Sequence, residues 1–270
     1  MLRKRVIFTL LYSSGKYCLS RNFNLQIVGD YEWLLNNYNF SNISQYIDEL
    51  IILDVSRDKR NMSDFCEQIA LLSKSCFIPI AAGGGISSTE YADKIYKAGG
   101  EKIVINSLLF TNPKKIKELA NKFGRQAIVG SIDIKMIAND VKFYIKNGTY
   151  EVDQPTGKII NHLSKLPLGE LYINSIDNDG VGNGLDMKLI DLFKNKIKIP
   201  IILAGGVGRP NHFLDGFNNP FVSAVSTAHL FNFVGNGLEI TRGMLYEQGS
   251  NIAHWSSYKE FFNEIKSRKK

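Results

Sequence analysis

The sequence of 270 residues predicts a (β/α)8 barrel, and two observations carry this prediction. Short runs rich in β-branched residues alternate with longer segments of helical periodicity along the whole chain. Eight such strand–helix units fit into about 250 residues, which is the usual length of this barrel. A doubly wound open sheet shares the alternation and is the alternative architecture. We therefore expect a single barrel domain over residues 1–270.

The eight predicted strands are short apolar segments that end at turn-forming residues. They are Val6–Leu11, Glu49–Val55, Ile78–Ala82, Lys102–Asn106, Ala127–Ile132, Leu171–Ser175, Ile199–Leu203 and Val222–Ser226. Ser13-Ser14-Gly15 is predicted as the turn that ends the first strand. The predicted helices are Asp64–Ser73, Ser88–Ala98, Pro113–Phe123, Asp186–Lys196 and Asn211–Phe217. Two of them begin beside a proline, which is typical of a first helical turn.

One segment departs from the strand–helix alternation. Residues 141–145 and 149–152 are β-prone and flank Asn147-Gly148, a pair typical of a tight hairpin turn. Because the segment follows the fifth strand, the predicted hairpin over 141–152 would lie on the face formed by the carboxyl ends of the strands. A basic tail, Lys266-Ser267-Arg268-Lys269-Lys270, is predicted after the barrel.

Composition excludes several classes of protein. Hydrophobic residues make up 44% of the chain and charged residues 22%, as in ordinary globular proteins. No apolar run reaches the roughly 20 residues that span a bilayer, and we expect a cytoplasmic protein without membrane contacts. The net charge of +7 comes without a basic stripe interleaved with aromatic residues, so nucleic acid is not an expected partner. Phosphorylated small molecules are the anionic ligands that this charge favours.

The three cysteines indicate neither a disulfide framework nor a zinc site. Cys18, Cys66 and Cys76 are odd in number and lack CxxC spacing. We expect each of them to be a small buried hydrophobic residue. Neither a metal nor a cofactor is expected.

The chain carries an internal repeat. The segment AAGGGIS at residues 81–87 returns as LAGGVGR at 203–209, and about the same shift places Leu11 on Asp133. Two related half-barrels would then form one barrel with paired sites at its mouth. In each half a glycine pair stands where a strand ends and a helix begins, so backbone N–H groups can meet a phosphate there. Glycines that only make tight turns are the alternative, but two pairs in register favour phosphate binding.

Seven segments resemble the cyclase subunit of imidazole glycerol phosphate synthase, over a match from Met1 to about Phe233. They are MLRKRVI, DELIILDVS, GGGI, EKIVINS, VGSIDIK, GELYINSIDNDGVGNG and PIILAGGVGRPNHF. The resemblance implies a (β/α)8 barrel with the active site at its carboxyl-terminal mouth. It also implies a class I glutaminase docked beneath the barrel, whose ammonia passes up through the interior.

The same resemblance implies roles for single residues. In that family two aspartates, at the ends of strands one and five, share acid–base work on a bisphosphorylated ribotide. The second matches Asp133, which is therefore the expected catalytic residue. The first falls on Leu11 and a lysine of the first loop falls on Leu19, so the acid–base pair is incomplete. Asp54, at the end of strand two, is either a functional carboxylate or a structural hydrogen-bond acceptor.

Two phosphate sites are also implied. The expected ligands are Gly84, Gly85, Asn106 and Ser107 at the first site, and Asp179, Gly180, Gly205, Gly206, Thr227 and Ala228 at the second. Next to the second site, His229 stands where a small hydroxyl residue is expected.

At the other end of the barrel, the family gates its ammonia channel with alternating charges at the amino ends of the strands. Those positions are Arg5, Glu49, Lys102 and Glu170 in this chain. Taken singly, each is a charged residue on a solvated rim. Charges packed together there must pair to offset their desolvation, so the four predict a compact plug with a polar path through it.

These residues suggest three functions. The leading one is a divergent paralogue that receives ammonia from a glutaminase and supports acetamidino formation on an amino sugar of a surface polysaccharide. Its substrate would be phosphorylated or nucleotide-linked, and a sugar amidotransferase would be a further partner. Proton transfer by one carboxylate, worth about 10²–10⁴-fold in rate, could suffice for ammonia addition. The alternative is the histidine-pathway cyclase itself, and the third function is a non-catalytic glutaminase activator and ammonia conduit.

Overall fold

The computed structural model describes residues 3–38, 45–138, 140–228 and 237–253. The strands are β1 (Arg5–Ser13), β2 (Lys16–Arg21), β3 (Asn24–Gly29), β4 (Glu49–Asp54), β5 (Ile80–Gly83), β6 (Lys102–Ile105), β7 (Ile128–Ile137), β8 (Asp140–Ile145), β9 (Tyr150–Glu151), β10 (Glu170–Ser175), β11 (Ile201–Ala204) and β12 (Val222–Thr227). The helices are α1 (Tyr31–Tyr38), α2 (Met62–Ser75), α3 (Thr89–Lys97), α4 (Leu108–Thr111), α5 (Pro113–Phe123), α6 (Thr156–Leu163), α7 (Lys188–Phe193), α8 (Pro210–Phe217) and α9 (Gly237–Glu247), with a short 3₁₀ turn at Arg125–Ala127.

Eight of the strands form a closed parallel barrel. They follow the order β1, β4, β5, β6, β7, β10, β11 and β12, and β12 pairs in parallel with β1 to complete the circle. The predicted (β/α)8 barrel is confirmed, and the open-sheet alternative is wrong. Seven predicted strands agree with the structure to within two residues at each end, whereas β7 runs on to Ile137.

Each barrel strand is buried on both faces, which explains the apolar runs in the sequence. Along β1, Phe8 and Leu10 pack outward against the helices, while Ile7 points into the barrel interior. The interior cluster consists of Ile7, Ile51, Ala81, Val104, Val129, Tyr172, Ile202, Ala204 and Ala224. The barrel is therefore filled by side chains rather than open along its axis.

Helices α2, α3 and α5 begin at capping residues. Asn61 accepts hydrogen bonds from the backbone N–H groups of Ser63 and Asp64 at the start of α2, and Ser88 caps α3 in the same way. At α5 the cap is Asn112, and Pro113 occupies the first turn. These local signals explain why the predicted bounds of α5 match the structure and why those of α2 and α3 lie within two residues of it.

Two hairpins rise from the carboxyl-terminal face of the barrel. Ser14 and Gly15 form a turn, but the chain continues into β2, which pairs antiparallel with both β1 and β3. The extension of β7 pairs with β8, and β8 pairs with β9. The β2–β3 hairpin and helices α1, α4, α6 and α9 were not predicted from the sequence.

Two predicted features fall outside the described residues, namely His229 and the basic tail at 266–270. Within the described ranges, no helix combines the length and the apolar character that a membrane span requires.

A buried ion pair ties α9 to the amino-terminal face of the barrel. The Arg242 guanidinium donates to Asp48 Oδ1 over 2.8 Å and to Oδ2 over 3.2 Å, and both side chains are about 95% buried. Asp48 Oδ2 also accepts a hydrogen bond from the backbone N–H of Val6 at the start of β1. Arg242 in turn donates to the carbonyl oxygens of Tyr46 and Ala253. The pair therefore links three segments that are remote in sequence.

We predict that Arg242→Met destabilises the protein by about 3–5 kcal/mol, because Asp48 would keep a buried charge without its cationic partner. The free energy of unfolding in urea measures the effect. Lys194→Met is the matched control, because Lys194 pairs with Asp191 on the surface, where such pairs contribute about 0–1 kcal/mol. An unfolding midpoint for Arg242→Met equal to that of the control would contradict the assignment of Arg242 as a structural tie.

Candidate active site at the barrel mouth

The carboxyl ends of the strands surround a cavity of about 760 Å³. Asp133 lies in it, and all ten predicted phosphate-site residues line it. This is the face at which barrels of this class place their active sites. The structure thus brings the residues expected at the mouth into one site, while the roles expected of them stay predictions.

Asp133 is the inward-facing residue of β7 at the mouth, and the pKa of its carboxyl group is well above the ordinary value. Burial raises the pKa of Asp133 to about 7, and the nearby charge of Asp179 adds to this effect. Hydrogen bonds from Asn174 and Asn106 act against the rise, the latter over 3.1 Å to Oδ2. A group of this pKa is populated in both protonation states near neutral pH, which suits it to general acid–base work.

Two leucines stand in the part of the cavity wall that β1 and β2 form. Leu11 is 8% exposed, pairs with Leu53 of β4 in register, and lines the cavity together with Leu19. Neither Leu11 nor Leu19 can exchange a proton or bind an anion. At the two positions where the family resemblance implies an acid and a lysine, this cavity therefore offers hydrophobic contact only.

Asp54 serves as a hydrogen-bond acceptor at the end of β4. Its side chain is buried, and Oδ1 accepts from the backbone N–H of Ser56 over 2.9 Å. Its Oδ2 lies 3.8 Å from Nε of Arg60, which lines the cavity and was not singled out from the sequence. These contacts support a structural role for Asp54 as a hydrogen-bond acceptor. Through its contact with Arg60, Asp54 also places that side chain beside the first glycine turn, Gly84-Gly85.

The first glycine turn needs its glycines for steric reasons. Gly84 has φ +128°, and a Cβ atom there would lie 2.5 Å from Asp54 Cβ. At Gly85, with φ +65°, a Cβ atom would lie 2.9 Å from Cδ of Arg60. Ser107 Oγ accepts from the backbone N–H of Lys146, while the Asn106 amide is turned toward Asp133. Backbone N–H groups, Ser107 and a guanidinium thus converge on this side of the mouth.

The second glycine turn, Gly205-Gly206, and the nearby Gly180 pack against their surroundings even more closely. A Cβ atom on Gly206 would lie 2.0 Å from the carbonyl oxygen of Gly184, and one on Gly180 would lie 1.9 Å from that of Ser20. Asp179 is engaged by the β2–β3 hairpin, since Ser20 Oγ and the backbone N–H of Phe23 both donate to its Oδ2. Asp179 therefore anchors the hairpin, a role that sequence alone did not indicate.

The two hairpins meet above the cavity. Phe23 at the tip of the β2–β3 hairpin lies against Gly148, where a Cβ atom would approach its ring to 2.6 Å. Arg57 donates to the carbonyl oxygen of Phe23, and Asn147 Nδ2 donates to the carbonyl oxygen of Val55 over 3.1 Å. The hairpin tips and the loop after β4 thus form a roof over one side of the mouth.

At the opposite end of the barrel, the four predicted gate residues form a closed ring of ion pairs. Arg5 contacts Glu49 over 2.6 Å and Glu170 over 3.0 Å, and Lys102 contacts each of the same carboxylates over 2.9 Å. Burial raises the pKa of Glu49, against the opposing effect of Lys102 and Arg5. Burial acts in the same direction on Glu170, but there the two cations outweigh it and the pKa is lowered. Each cation bridges both anions, and the ring seals the barrel interior from below.

The chain is similar to several known proteins over most of its length. The sequence profile of the family described as histidine biosynthesis protein matches residues 21–235. A relative from Parasynechococcus marenigrum, provisionally named imidazole glycerol phosphate synthase subunit hisF2, is 42% identical over 256 residues, which cover 94% of this chain and 95% of the relative. A relative from Pseudomonas aeruginosa with the same provisional name is 35% identical over 237 residues, or 87% of this chain and 93% of that protein. The imidazole glycerol phosphate synthase subunit HisF of Hydrogenobaculum sp. is 34% identical over 257 residues, or 93% of this chain and 99% of that subunit.

The raised pKa of Asp133 predicts how stability depends on pH. Because the folded protein binds this proton more tightly than the unfolded chain, stability is lost as pH rises from about 4, the ordinary value, to about 7. Asp133→Asn removes this loss, so its free energy of unfolding should exceed that of the wild type at pH 8 by an amount on the order of a few kcal/mol. The gap should close at pH 4.

Urea unfolding at the two pH values measures this gap. Asp153→Asn is the matched control, because Asp153 is exposed and lies outside the cavity. If Asp133→Asn and the wild type keep the same difference at both pH values, the carboxyl group of Asp133 titrates normally and the acid–base assignment loses its basis.

Proposed function

Since the chain belongs to the histidine biosynthesis protein family and is a divergent relative of its cyclase subunits, we propose that it is the barrel subunit of a glutamine-dependent synthase of imidazole glycerol phosphate synthase type. In this proposal a class I glutaminase docks on the face that bears the charge ring. The barrel takes up the ammonia released there and delivers it to a phosphorylated, sugar-like substrate at the mouth.

One observation carries the proposal, namely that the same barrel has a ring of buried ion pairs at one end and a polar cavity with a carboxyl group at the other. The ion-pair ring of Arg5, Glu49, Lys102 and Glu170 closes the amino-terminal end. Asp133 and two glycine turns surround a cavity at the other end. A barrel bottom built for stability alone needs apolar packing and not a ring of desolvated charges. A guarded entrance for a small polar molecule accounts for both features.

The proposed chemistry needs one proton acceptor at the mouth. The glycine turns, with their backbone N–H groups, would hold the phosphates, and Ser107 and Thr227 line the cavity beside them. When the ammonia nitrogen forms a bond to an electrophilic carbon of the substrate, it becomes positively charged. Asp133, in its carboxylate form, takes up one proton from that nitrogen and returns it to the group that leaves the carbon. Such proton transfer is worth roughly 10²–10⁴-fold in rate.

The acceptor substrate is the finer part of the proposal. Ring closure as the family performs it needs a second carboxylate opposite Asp133, and this chain has Leu11 there. Leu11 therefore favours amination of an amino sugar to an acetamidino group, with a sugar amidotransferase as a further partner. A second candidate is the cyclase reaction of histidine biosynthesis. The names of the relatives favour that candidate, since they describe subunits of imidazole glycerol phosphate synthase. A non-catalytic ammonia conduit is the third possibility, and it differs in not needing Asp133.

We predict that the chain co-elutes with a class I glutaminase encoded near it and raises the turnover of that enzyme. Phe77→Asp should abolish the complex, because Phe77 precedes β5 on the face of the charge ring and is 97% exposed. Lys135→Glu is the control, since Lys135 lies on β7 beyond Asp133, at the mouth. Size-exclusion chromatography at micromolar concentration decides the matter. Two separate peaks for the wild type, with no gain in turnover, would refute the proposed partner.

We predict that the chain does not restore growth without histidine to a strain that lacks the histidine-pathway cyclase. Leu11→Asp alone should rescue growth weakly at best, because Leu19 also replaces a functional residue of the family. Growth supported by the unmodified chain would instead establish the cyclase reaction as its function.

Asp133→Asn separates catalysis from conduction in cells that depend on the chain. It should abolish amidino-sugar formation while leaving co-elution with the glutaminase intact, because the amide keeps the shape of the carboxylate and loses its basicity. Polysaccharide that is still fully amidinated in these cells would favour the conduit.

A further inference from the structure

A cluster of three hydroxyl groups interrupts the apolar interior of the barrel. Thr9 Oγ1 and Ser226 Oγ lie 2.7 Å apart on the neighbouring strands β1 and β12. Both hydroxyls act through hydrogen bonding on the phenol of Tyr172, which comes from β10. All three residues are more than 95% buried, and all three line the floor of the mouth cavity. Ser131, which pairs in register with Tyr172, also lines the cavity at this level. The apolar cluster that contains Tyr172 further consists of Ile7, Ile51, Ala81, Val104, Val129, Ile202, Ala204 and Ala224.

The register of the strands places this cluster between the two ends of the barrel. Glu170, Tyr172 and Asn174 alternate along β10, so their side chains point inward at successive heights. Glu170 belongs to the charge ring, and Asn174 pairs in register with Asp133. Since a strand rises about 3.3 Å per residue, Tyr172 lies about 7 Å from each of these levels along the strand. A small molecule that passes from the ring to Asp133 must cross the level of Tyr172.

The three groups have the chemistry to hold neutral ammonia. Each hydroxyl both donates and accepts hydrogen bonds, while ammonia accepts one through its lone pair and donates up to three. The apolar surroundings disfavour the ammonium ion, because a charge there would be desolvated without a partner. Burial raises the pKa of Tyr172 to about 12, although Thr9 and Ser226 oppose the rise, so its phenol keeps its proton and can donate it in a hydrogen bond. A phenol this weakly acidic does not protonate ammonia, so the nitrogen stays nucleophilic.

On these grounds we propose that Thr9, Tyr172 and Ser226 form a binding site for neutral ammonia on the barrel axis, between the charge ring and Asp133. The inference rests on the proposed function and deepens it by naming the intermediate stop of the nitrogen. The site holds ammonia by hydrogen bonds to the hydroxyl groups and releases it toward the level above, where Asp133 and Asn174 lie. No covalent step takes place at the cluster.

The test uses methylamine as a probe, because its methyl group distinguishes it from water in electron density. Crystals of the full chain are soaked at alkaline pH, where methylamine is largely neutral, and again at neutral pH, where it is charged. We expect density for methylamine at the hydroxyl cluster at alkaline pH only. Tyr172→Phe removes one neutral hydrogen bond and should weaken binding about fivefold, seen as lower occupancy across a concentration series.

Tyr91→Phe is the matched control. Tyr91 is a buried tyrosine of α3 whose hydroxyl has no hydrogen-bond partner among the described residues, and it lies outside the barrel interior. Its substitution should leave methylamine occupancy unchanged. Thr9→Val, which keeps the shape of threonine, provides a second variant in case Tyr172→Phe does not fold, as judged by its thermal transition.

The outcomes separate this site from the proposed function. Empty density at the cluster in the wild type, equal occupancy in Tyr172→Phe and the wild type, or binding of the charged form at neutral pH would each overturn the ammonia site. None of these outcomes bears on whether a glutaminase binds the opposite face. Conversely, methylamine bound at the cluster in a chain that forms no glutaminase complex would uphold the site and refute the proposed function.

Discussion

The closure of the parallel sheet is the constraint on which the rest of the structure depends. Closure of eight parallel strands gathers their amino ends at one face and their carboxyl ends at the other, so the two faces can carry different chemistry. Alternation of side chains then sorts each strand into levels. On β10 these levels are Glu170 in the charge ring, Tyr172 in the interior and Asn174 beside Asp133. One strand therefore samples an ionic, a hydroxyl and a carboxylate environment in succession.

Burial acts on the carboxylates at both ends, and their partners decide the result. Glu170 is buried but touches Arg5 and Lys102, so its pKa is lowered and it stays ionised in the ring. Asp133 faces the negative charge of Asp179 and receives hydrogen bonds only from amide groups among the contacts that shift its pKa. Its proton is therefore held to about neutral pH. The same desolvation makes one carboxylate part of a permanent plug and leaves the other able to exchange a proton.

The sequence predicted the barrel well, because buried parallel strands and capped helices leave local signals such as the run Ile51-Ile52-Leu53 and the cap Asn112-Pro113. The residues of the mouth were found through the family resemblance, since a single aspartate such as Asp133 has no local signature. What depends on distant contacts was missed. The hydrogen bond between Ser20 and Asp179 joins residues 159 positions apart in the sequence. The direction of the Asp133 pKa shift depends on how deeply the side chain is buried, which the sequence does not show. The hydroxyl cluster was missed because Thr9, Tyr172 and Ser226 meet only once the barrel has closed.

The division of labour among the mouth carboxylates bears on which reaction the barrel can perform. With Leu11 on β1, two acidic groups remain that are electrostatically coupled, Asp133 and Asp179. Asp179 is occupied as the acceptor of hydrogen bonds from Ser20 and Phe23, and its release would unfasten the β2–β3 hairpin from the mouth. Reactions that need one proton acceptor leave this arrangement undisturbed. Detachment of Asp179 from Ser20 and Phe23 would disturb the roof, and Asp54 is already engaged with Ser56 and Arg60. In the function we propose, ammonia addition with Asp133 as the single proton acceptor leaves the β2–β3 hairpin fastened to Asp179 over the mouth.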